Sequence, residues 1–130
     1  MTINYSQLLS IKDELDDLVS KGMRSTALSF VRNVTYSSPV DSGRFRANWV
    51  VGIGAPDENE YPNRTNLQGA IARASSEIKR FTFTGKEVIY INNNLPYAAR
   101  LNDGYSKQAG KFFVEVAARQ SGINIKDGAL

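Results

Sequence analysis

The 130-residue chain contains neither cysteine nor histidine. The absence of cysteine excludes disulfide bridges, thiolate metal sites and cysteine nucleophiles. The absence of histidine removes the commonest general base and the commonest neutral metal ligand of proteins. An enzyme built on this chain would have to use carboxylates, lysine, tyrosine or serine, and candidate bases such as Asp41, Glu87 and Asp103 are scattered along it. We therefore expect no enzyme activity, no catalytic residue, no metal site and no cofactor.

Long apolar runs are also missing. No stretch approaches the roughly 20 apolar residues that a membrane-spanning helix needs, and the first ten residues lack the basic start and apolar segment of a secretory signal. Charge is nearly balanced, with 16 lysines and arginines against 13 acids and a net charge of +3. We expect a protein made in the cytoplasm, without a membrane partner and without the clustered positive charge of a nucleic-acid binder.

Apolar residues recur every three or four positions from Ser6 to Val34, which predicts a long amphipathic helix that Ser6 caps. Gly22 weakens the middle of the pattern, so it fits either one helix or two joined helices. Four acids crowd the first half of this segment. They are Asp13, Glu14, Asp16 and Asp17. We interpret them as a solvated helix face and not as a metal site.

Strand and helix patterns alternate along the rest of the chain. Alternating apolar residues predict a strand over 46–54, and helical spacing predicts a helix over 67–81. Residues 80–93 predict one or two short strands, and residues 111–121 suit a helix better than a strand because good helix formers fill their second half. The sum predicts one α+β domain over residues 1–130, with a long N-terminal helix and further helices packed on a small antiparallel sheet.

A loop-prone segment, Ser38–Trp49, precedes the first predicted strand and mixes turn residues with basic and aromatic ones. Gly43 can adopt a positive φ and so reverse the chain. Arg44 and Arg46 lie two residues apart, so they share one face if the strand has already begun. Trp49 would then lie on the opposite face and enter the core.

A second loop-prone segment, residues 92–110, follows the last predicted strand. Pro96 cannot donate to a sheet ladder and therefore ends that strand. Tyr97 and Leu101 fit one short helical turn that packs on the core. Gly104 would release this turn through a left-handed backbone position.

Neither loop-prone segment carries a catalytic constellation, but both carry residues that suit protein contacts. Tyrosine and arginine are enriched at interfaces, and serine and glutamine supply directional hydrogen bonds. We therefore interpret the two segments as surfaces that neighbouring subunits contact. The predicted interface residues are Asp41, Ser42, Arg44, Arg46, Tyr97, Asn102, Tyr105, Ser106, Lys107 and Gln108.

The order and separation of the two segments resemble those of the neck, or tail-completion, proteins of long-tailed bacteriophages. That family has an N-terminal helix, a box around "PVDTG" that ends in tryptophan, a variable middle, and a strand that runs into a box around "LPYA". The matching residues here are Pro39, Val40, Asp41, Ser42, Gly43, Arg44, Arg46, Asn48 and Trp49, then Asn93, Asn94, Leu95, Pro96, Tyr97, Ala98, Leu101, Gly104, Ser106, Gln108 and Ala109. Ser42 replaces the usual threonine, and Asn102 the usual glutamate.

The resemblance implies a structural virion protein at the junction of head and tail, without catalytic activity. It implies a homo-oligomeric ring, a hexamer or a dodecamer, whose other partners are the neighbouring head-connector and tail proteins. DNA would pass through the ring only as cargo. Because a ring contact joins two different surfaces, the acidic half of the long helix could pair with the basic region of Arg44 and Arg46.

A different function stays open for residues Lys79–Lys86. Basic residues there alternate with Phe81 and Phe83, as on a surface that stacks the bases of single-stranded nucleic acid. The alternative is that both phenylalanines face the core and the basic residues flank a hairpin.

Overall fold

A single helix, α1, runs from Tyr5 to Ser37 in the computed structural model, which describes residues 2–40, 42–104 and 110–124. Its 33 residues span about 50 Å at 1.5 Å per residue. Gly22 lies inside the helix without interrupting it, because one glycine costs a helix only about 1 kcal/mol. Of the two arrangements that the sequence left open, the structure therefore shows the single helix.

The N-terminus of α1 is capped by Asn4, and the prediction of Ser6 is wrong. The Asn4 side chain accepts a hydrogen bond from the Gln7 backbone N–H at 2.9 Å, and the Gln7 side chain accepts one from the Asn4 N–H at 2.9 Å. This reciprocal capping box satisfies two backbone donors, which a serine at position 6 alone could not do.

The remaining elements place helices against a two-stranded antiparallel sheet, which confirms the predicted α+β class. They are α2 (Arg44–Ala47), β1 (Trp49–Ile53), α3 (Leu67–Lys79), β2 (Ile89–Asn93), α4 (Ala98–Asn102) and α5 (Phe113–Gln120). In the sheet, Trp49 lies opposite Asn93 and Ile53 lies opposite Ile89. Helix α1 packs against both α3 and α5, and α3 packs against β1.

Two buried clusters form the core, and α1 contributes to both. The first contains Phe30, Val34, Phe45, Trp49, Leu95, Phe113, Ala117 and Ala118. The second contains Ala27, Val31, Val51, Ala74 and Ile78. Every α1 member of these clusters lies between Ala27 and Val34. The C-terminal half of α1 is therefore the element on which the other helices and the sheet assemble.

The first predicted strand is shorter than expected, because residues 44–47 form the helical turn α2 and the strand begins at Trp49. Asn48 closes this turn: its side-chain nitrogen donates to the Arg44 carbonyl at 2.8 Å, and its N–H donates to the Phe45 carbonyl at 3.1 Å. Alternating apolar residues suggested a strand here, but these local hydrogen bonds favour the turn. Arg44 and Arg46 therefore do not share a strand face.

Residues 80–88 form no strand, so the region that predicted one or two strands holds only β2. Two hydrogen bonds tie this segment to α1. The Arg24 guanidinium donates to the Phe81 carbonyl at 2.6 Å, and the Phe83 N–H donates to the Ser20 hydroxyl at 2.8 Å. The backbone groups that a ladder would use are thus satisfied by helix side chains.

The turn before α2 depends on a glycine. Gly43 has a φ of 80°, and a Cβ there would lie 2.7 Å from the Thr65 carbonyl oxygen. Gly54 has nearly the same φ, 79°, but a Cβ would meet nothing within 4 Å. We expect Gly54→Ala to lower the free energy of unfolding by about 1–2 kcal/mol through the positive φ alone. Gly43→Ala should cost about 1–3 kcal/mol more, because overpacking adds to the same strain.

Urea denaturation of the two variants and the wild-type chain measures this difference. Equal losses for Gly43→Ala and Gly54→Ala would contradict the close approach of the turn to Thr65.

Candidate assembly surfaces

The sheet brings the two loop-prone segments together. Trp49 is the last residue of the first segment and Asn93 is the second residue of the second, and these residues face each other in the β1–β2 pair. The Asn93 side chain donates to the Phe45 carbonyl at 2.9 Å and accepts from the Leu95 N–H at 3.2 Å. Residues 42–49 and 92–102 therefore form one continuous region of the molecule, which we call the joint region.

An aromatic cluster supports this joint region. The Phe45 ring lies 6.0 Å from Trp49, 6.2 Å from Tyr97 and 6.0 Å from Phe113, measured between ring centroids. Such edge and tilted contacts stabilise aromatic pairs beyond simple burial. Trp49 is buried, as predicted, and its indole N–H donates to the Ser38 hydroxyl at 2.9 Å. Tyr97 covers the cluster and remains 39% exposed.

Asparagine side chains connect the joint region to the loop over residues 54–66, a role that sequence reasoning missed. Asn48 is 2% exposed, and its side chain accepts from the Tyr61 N–H at 2.9 Å and donates to the Tyr61 carbonyl at 3.1 Å. The side chains of Asn92 and Asn94 both donate to the Asp57 carbonyl, at 2.9 and 2.7 Å. The run of three asparagines at 92–94 was the available signal, since amides can bond backbone on two sides.

The Asp57 carboxylate fixes the same loop from within. It accepts hydrogen bonds from the Asn59 N–H at 2.9 Å and from the Tyr61 hydroxyl at 2.7 Å. Partial burial raises the pKa of Asp57, but these hydrogen bonds and the charge of Arg64 outweigh it, so the pKa lies below its ordinary value. Asp57 is therefore an ionised structural group.

The two arginines of the predicted interface have different surroundings. The Arg46 guanidinium donates to the Ser38 carbonyl at 2.9 Å and to the Tyr36 carbonyl at 2.7 Å. These carbonyls lie at the C-terminus of α1, where helix acceptors lack intrahelical partners and a cation is favourable. Arg44 is exposed. Arg46 thus stabilises the end of α1, while Arg44 is available to a neighbour.

Asn102 also has a role inside the chain. Its side-chain oxygen accepts from the Val114 N–H at 3.0 Å, and its nitrogen donates to the Glu115 carboxylate at 3.0 Å. Helix α5 has no capping side chain of its own at Phe112, so Asn102 supplies the cap from α4. It positions α5, whatever contacts it makes outside the chain.

The other predicted interface residues divide into two groups. Ser42 is exposed, and its hydroxyl accepts from the Arg44 N–H at 3.3 Å, as expected for a tight turn. Asp41, Tyr105, Ser106, Lys107 and Gln108 lie outside the described residues. Gly104, just before that segment, has a φ of 98°, which confirms the predicted left-handed position.

An exposed apolar surface lies on the N-terminal half of α1, residues 5–19, which we call the arm. Its large exposed apolar residues are Tyr5, Leu8, Leu9, Ile11, Leu15, Leu18 and Val19. Leu15 is 56% exposed and Leu18 is 65% exposed. The sequence predicted the stripe, but periodicity alone could not tell that the domain ends before the helix does. Within the described residues, burial on α1 begins only at Ser20.

The segment Lys79–Lys86 does not present two aromatic faces. Phe81 is completely buried, and Phe83 is partly buried. Base stacking needs exposed rings, so this surface offers Phe83 alone. Nucleic-acid binding by this segment stays a prediction that no observation favours.

The described residues contain neither a membrane-spanning helix nor a cluster of metal ligands. None of the described helices combines the length and apolarity needed to cross a membrane. In the same residues, no three acids gather into a group that could hold a metal ion. Comparison of the chain with family models, curated proteins and solved structures gives no match. The resemblance to phage neck proteins therefore remains a prediction from the two segments themselves.

The different surroundings of the two arginines can be tested in the isolated chain. Arg46→Ala should lower the free energy of unfolding by about 1–3 kcal/mol, because two carbonyls at the end of α1 lose a charged donor. Arg44→Ala is the matched control and should stay within about 0.5 kcal/mol of wild type. Chemical denaturation measures both, and a loss at Arg44 equal to that at Arg46 would contradict the assignment.

Proposed function

We propose that this chain is a structural protein of a bacteriophage virion, acting at the junction of head and tail as one subunit of a homo-oligomeric ring. Its work would be association: it would join the head connector to the tail during assembly, while DNA passes through the ring as cargo. The location rests on the resemblance of the two segments to neck and tail-completion proteins. The proposal that the chain associates with other molecules rests on the exposed apolar residues of the arm.

The exposed arm is the observation that carries the proposal. Seven large apolar side chains on fewer than five turns of helix form a patch of a kind that monomeric proteins rarely expose. An isolated helix of this length is also marginal in water, and most helices depend on tertiary packing for their stability. A partner that covers the arm would provide that packing.

The joint region supports the same proposal from the opposite end of α1. Trp49 and Asn93 belong to the two different segments that carry the resemblance, yet β1 and β2 hold them side by side. A rigid aromatic cluster lies beneath Tyr97, with exposed Ser42 and Arg44 on the same segment as Phe45. A ring subunit needs two different surfaces, and the arm and the joint region are separate enough to be two.

Association can be tested with a matched pair of arm variants. Leu15→Asp puts a charge on the apolar stripe, whereas Ser10→Asp adds the same charge to the opposite face of the helix. Native mass spectrometry of the wild-type chain should show a closed ring. Leu15→Asp should weaken association at least about tenfold, equivalent to 1.4 kcal/mol, and Ser10→Asp should leave it nearly unchanged. Both variants should keep the monomer's unfolding transition, because neither residue lies in the core.

The same variants test the location in the phage that encodes the chain. Particles made with Leu15→Asp should accumulate as DNA-filled heads and separate tails, while Ser10→Asp particles should be complete in electron micrographs. A wild-type chain that stays monomeric at assembly concentrations, or complete virions that lack the chain, would contradict the proposal.

A further inference from the structure

An apolar groove of about 420 Å³ lies beside α1 just beyond the arm. One wall is formed by Gly22, Met23 and Thr26 of α1 and another by Val88 and by Ile89 and Ile91 of β2, and Ile123, which follows α5, also lines the groove. Its lining is almost wholly apolar. A Cβ on Gly22 would meet nothing within 4 Å, so the missing side chain leaves the groove open on the helix side. A groove of this composition suits aliphatic side chains.

The arm has the side chains that such a groove would accept. Leu8, Ile11, Leu15 and Leu18 follow one another at spacings of three, four and three residues, and the next step of four reaches Gly22. This spacing is that of a helix seam that packs knobs into the holes of another element. The stripe and the groove therefore form one continuous apolar surface along α1, with a ridge at one end and a hollow at the other.

A chain cannot place its own arm in its own groove. Both belong to α1, which is unbroken from Tyr5 to Ser37, and the arm would have to fold back over Gly22. Bending a helix this sharply breaks its backbone hydrogen bonds. An arm that fills the groove must therefore come from another molecule.

The charges favour packing the arm of one copy against the groove of another over packing the arms of two copies against each other. The arm carries Lys12 and four acids, a net charge of −3, and because the whole chain is +3, the remainder carries +6. Lys21 and Lys86 are exposed and directly precede groove residues, while Glu87 at the rim accepts a hydrogen bond from the Thr84 N–H at 2.7 Å. Two arms packed together would set −3 against −3, whereas an arm in a groove meets Lys21 and Lys86 beside Glu87, a rim with one excess positive charge.

We propose that the groove between α1 and β2 receives the arm of a second copy of this chain. Each copy gives its arm to one neighbour and takes the arm of the other, which is a heterologous contact that can close into a ring. The inference rests on the proposed function and names the contact that would hold the ring together. It assigns the acidic arm to the groove and not to Arg44 and Arg46, because Arg46 is already bound to the end of α1.

The absence of cysteine makes the contact directly measurable by disulfide formation between single-cysteine variants. One set carries Leu8→Cys, Ile11→Cys, Leu15→Cys or Leu18→Cys on the arm, and the partner carries Val88→Cys in the groove. Val88 is 46% exposed, so its replacement should leave the fold intact. Disulfides need Cα atoms within about 7 Å, so the four arm positions cover the possible registers.

Each arm variant is mixed with Val88→Cys under mild oxidation. At least one arm variant should form a disulfide with Val88→Cys in preference to a disulfide with a second copy of itself. Two matched controls should give no such preference: Asp13→Cys, on the charged side of the arm, and Glu58→Cys, on the exposed loop far along the chain from the groove. Gly22→Leu adds a second readout. It continues the stripe but fills the groove, so it should weaken association at least about tenfold, whereas pairing of arm with arm would be strengthened.

Three results would overturn the proposal. The first is that only arm-to-arm disulfides form. The second is that no mixed disulfide forms although the oligomer does. The third is that the Val88→Cys thiol is shielded from a maleimide at dilutions where the chain is monomeric. The last would assign the groove to the chain's own residues 125–130. The disulfide pattern is measured on the purified oligomer, so its failure leaves the location in the virion standing, and absence from the virion leaves the contact standing.

Discussion

Helix α1 is longer than the domain that it supports, and this mismatch governs the rest of the structure. Between Ala27 and Val34 the helix supplies buried side chains to both core clusters, and its C-terminus is fixed by Arg46. The arm carries the same apolar periodicity beyond the last packed element. Hydrophobic burial therefore stabilises one half of the helix within the chain, whereas no element in the described part of the chain covers the apolar face of the other half.

The joint region shows how hydrogen bonds hold a loop-rich surface in one shape. Asn48, Asn93 and Asn102 each use the side chain to satisfy backbone groups of another segment. These amides replace the sheet ladder and the helix caps that short elements cannot provide for themselves. A surface fixed in this way pays little ordering entropy when a neighbour binds, which suits a subunit that must assemble repeatedly in one geometry.

Much of this fold follows from the sequence, and the differences have physical causes. Spacing predicted α1, α3 and α5, and turn chemistry predicted the positive φ of Gly43 and Gly104. The strand predicted over 46–54 begins only at Trp49, because alternation cannot reveal a turn closed by Asn48, and Arg44 and Arg46 therefore share no strand face. The interface residues were harder to predict. Arg46 and Asn102 were predicted from their chemical type, and only the structure shows that their side chains bind backbone groups of the same chain. Likewise, periodicity marks an apolar face but does not say what covers it.

Amide hydrogen exchange, followed as the protein concentration is raised, tests the central claim most directly. The account predicts that amides of residues 20–37 are protected at every concentration, because the domain's own core holds them. Amides of the arm should exchange quickly in dilute solution and become protected as the chain associates. An arm that is equally protected at extreme dilution, or one that stays unprotected in the assembled oligomer, would contradict the view that another copy of the chain covers it.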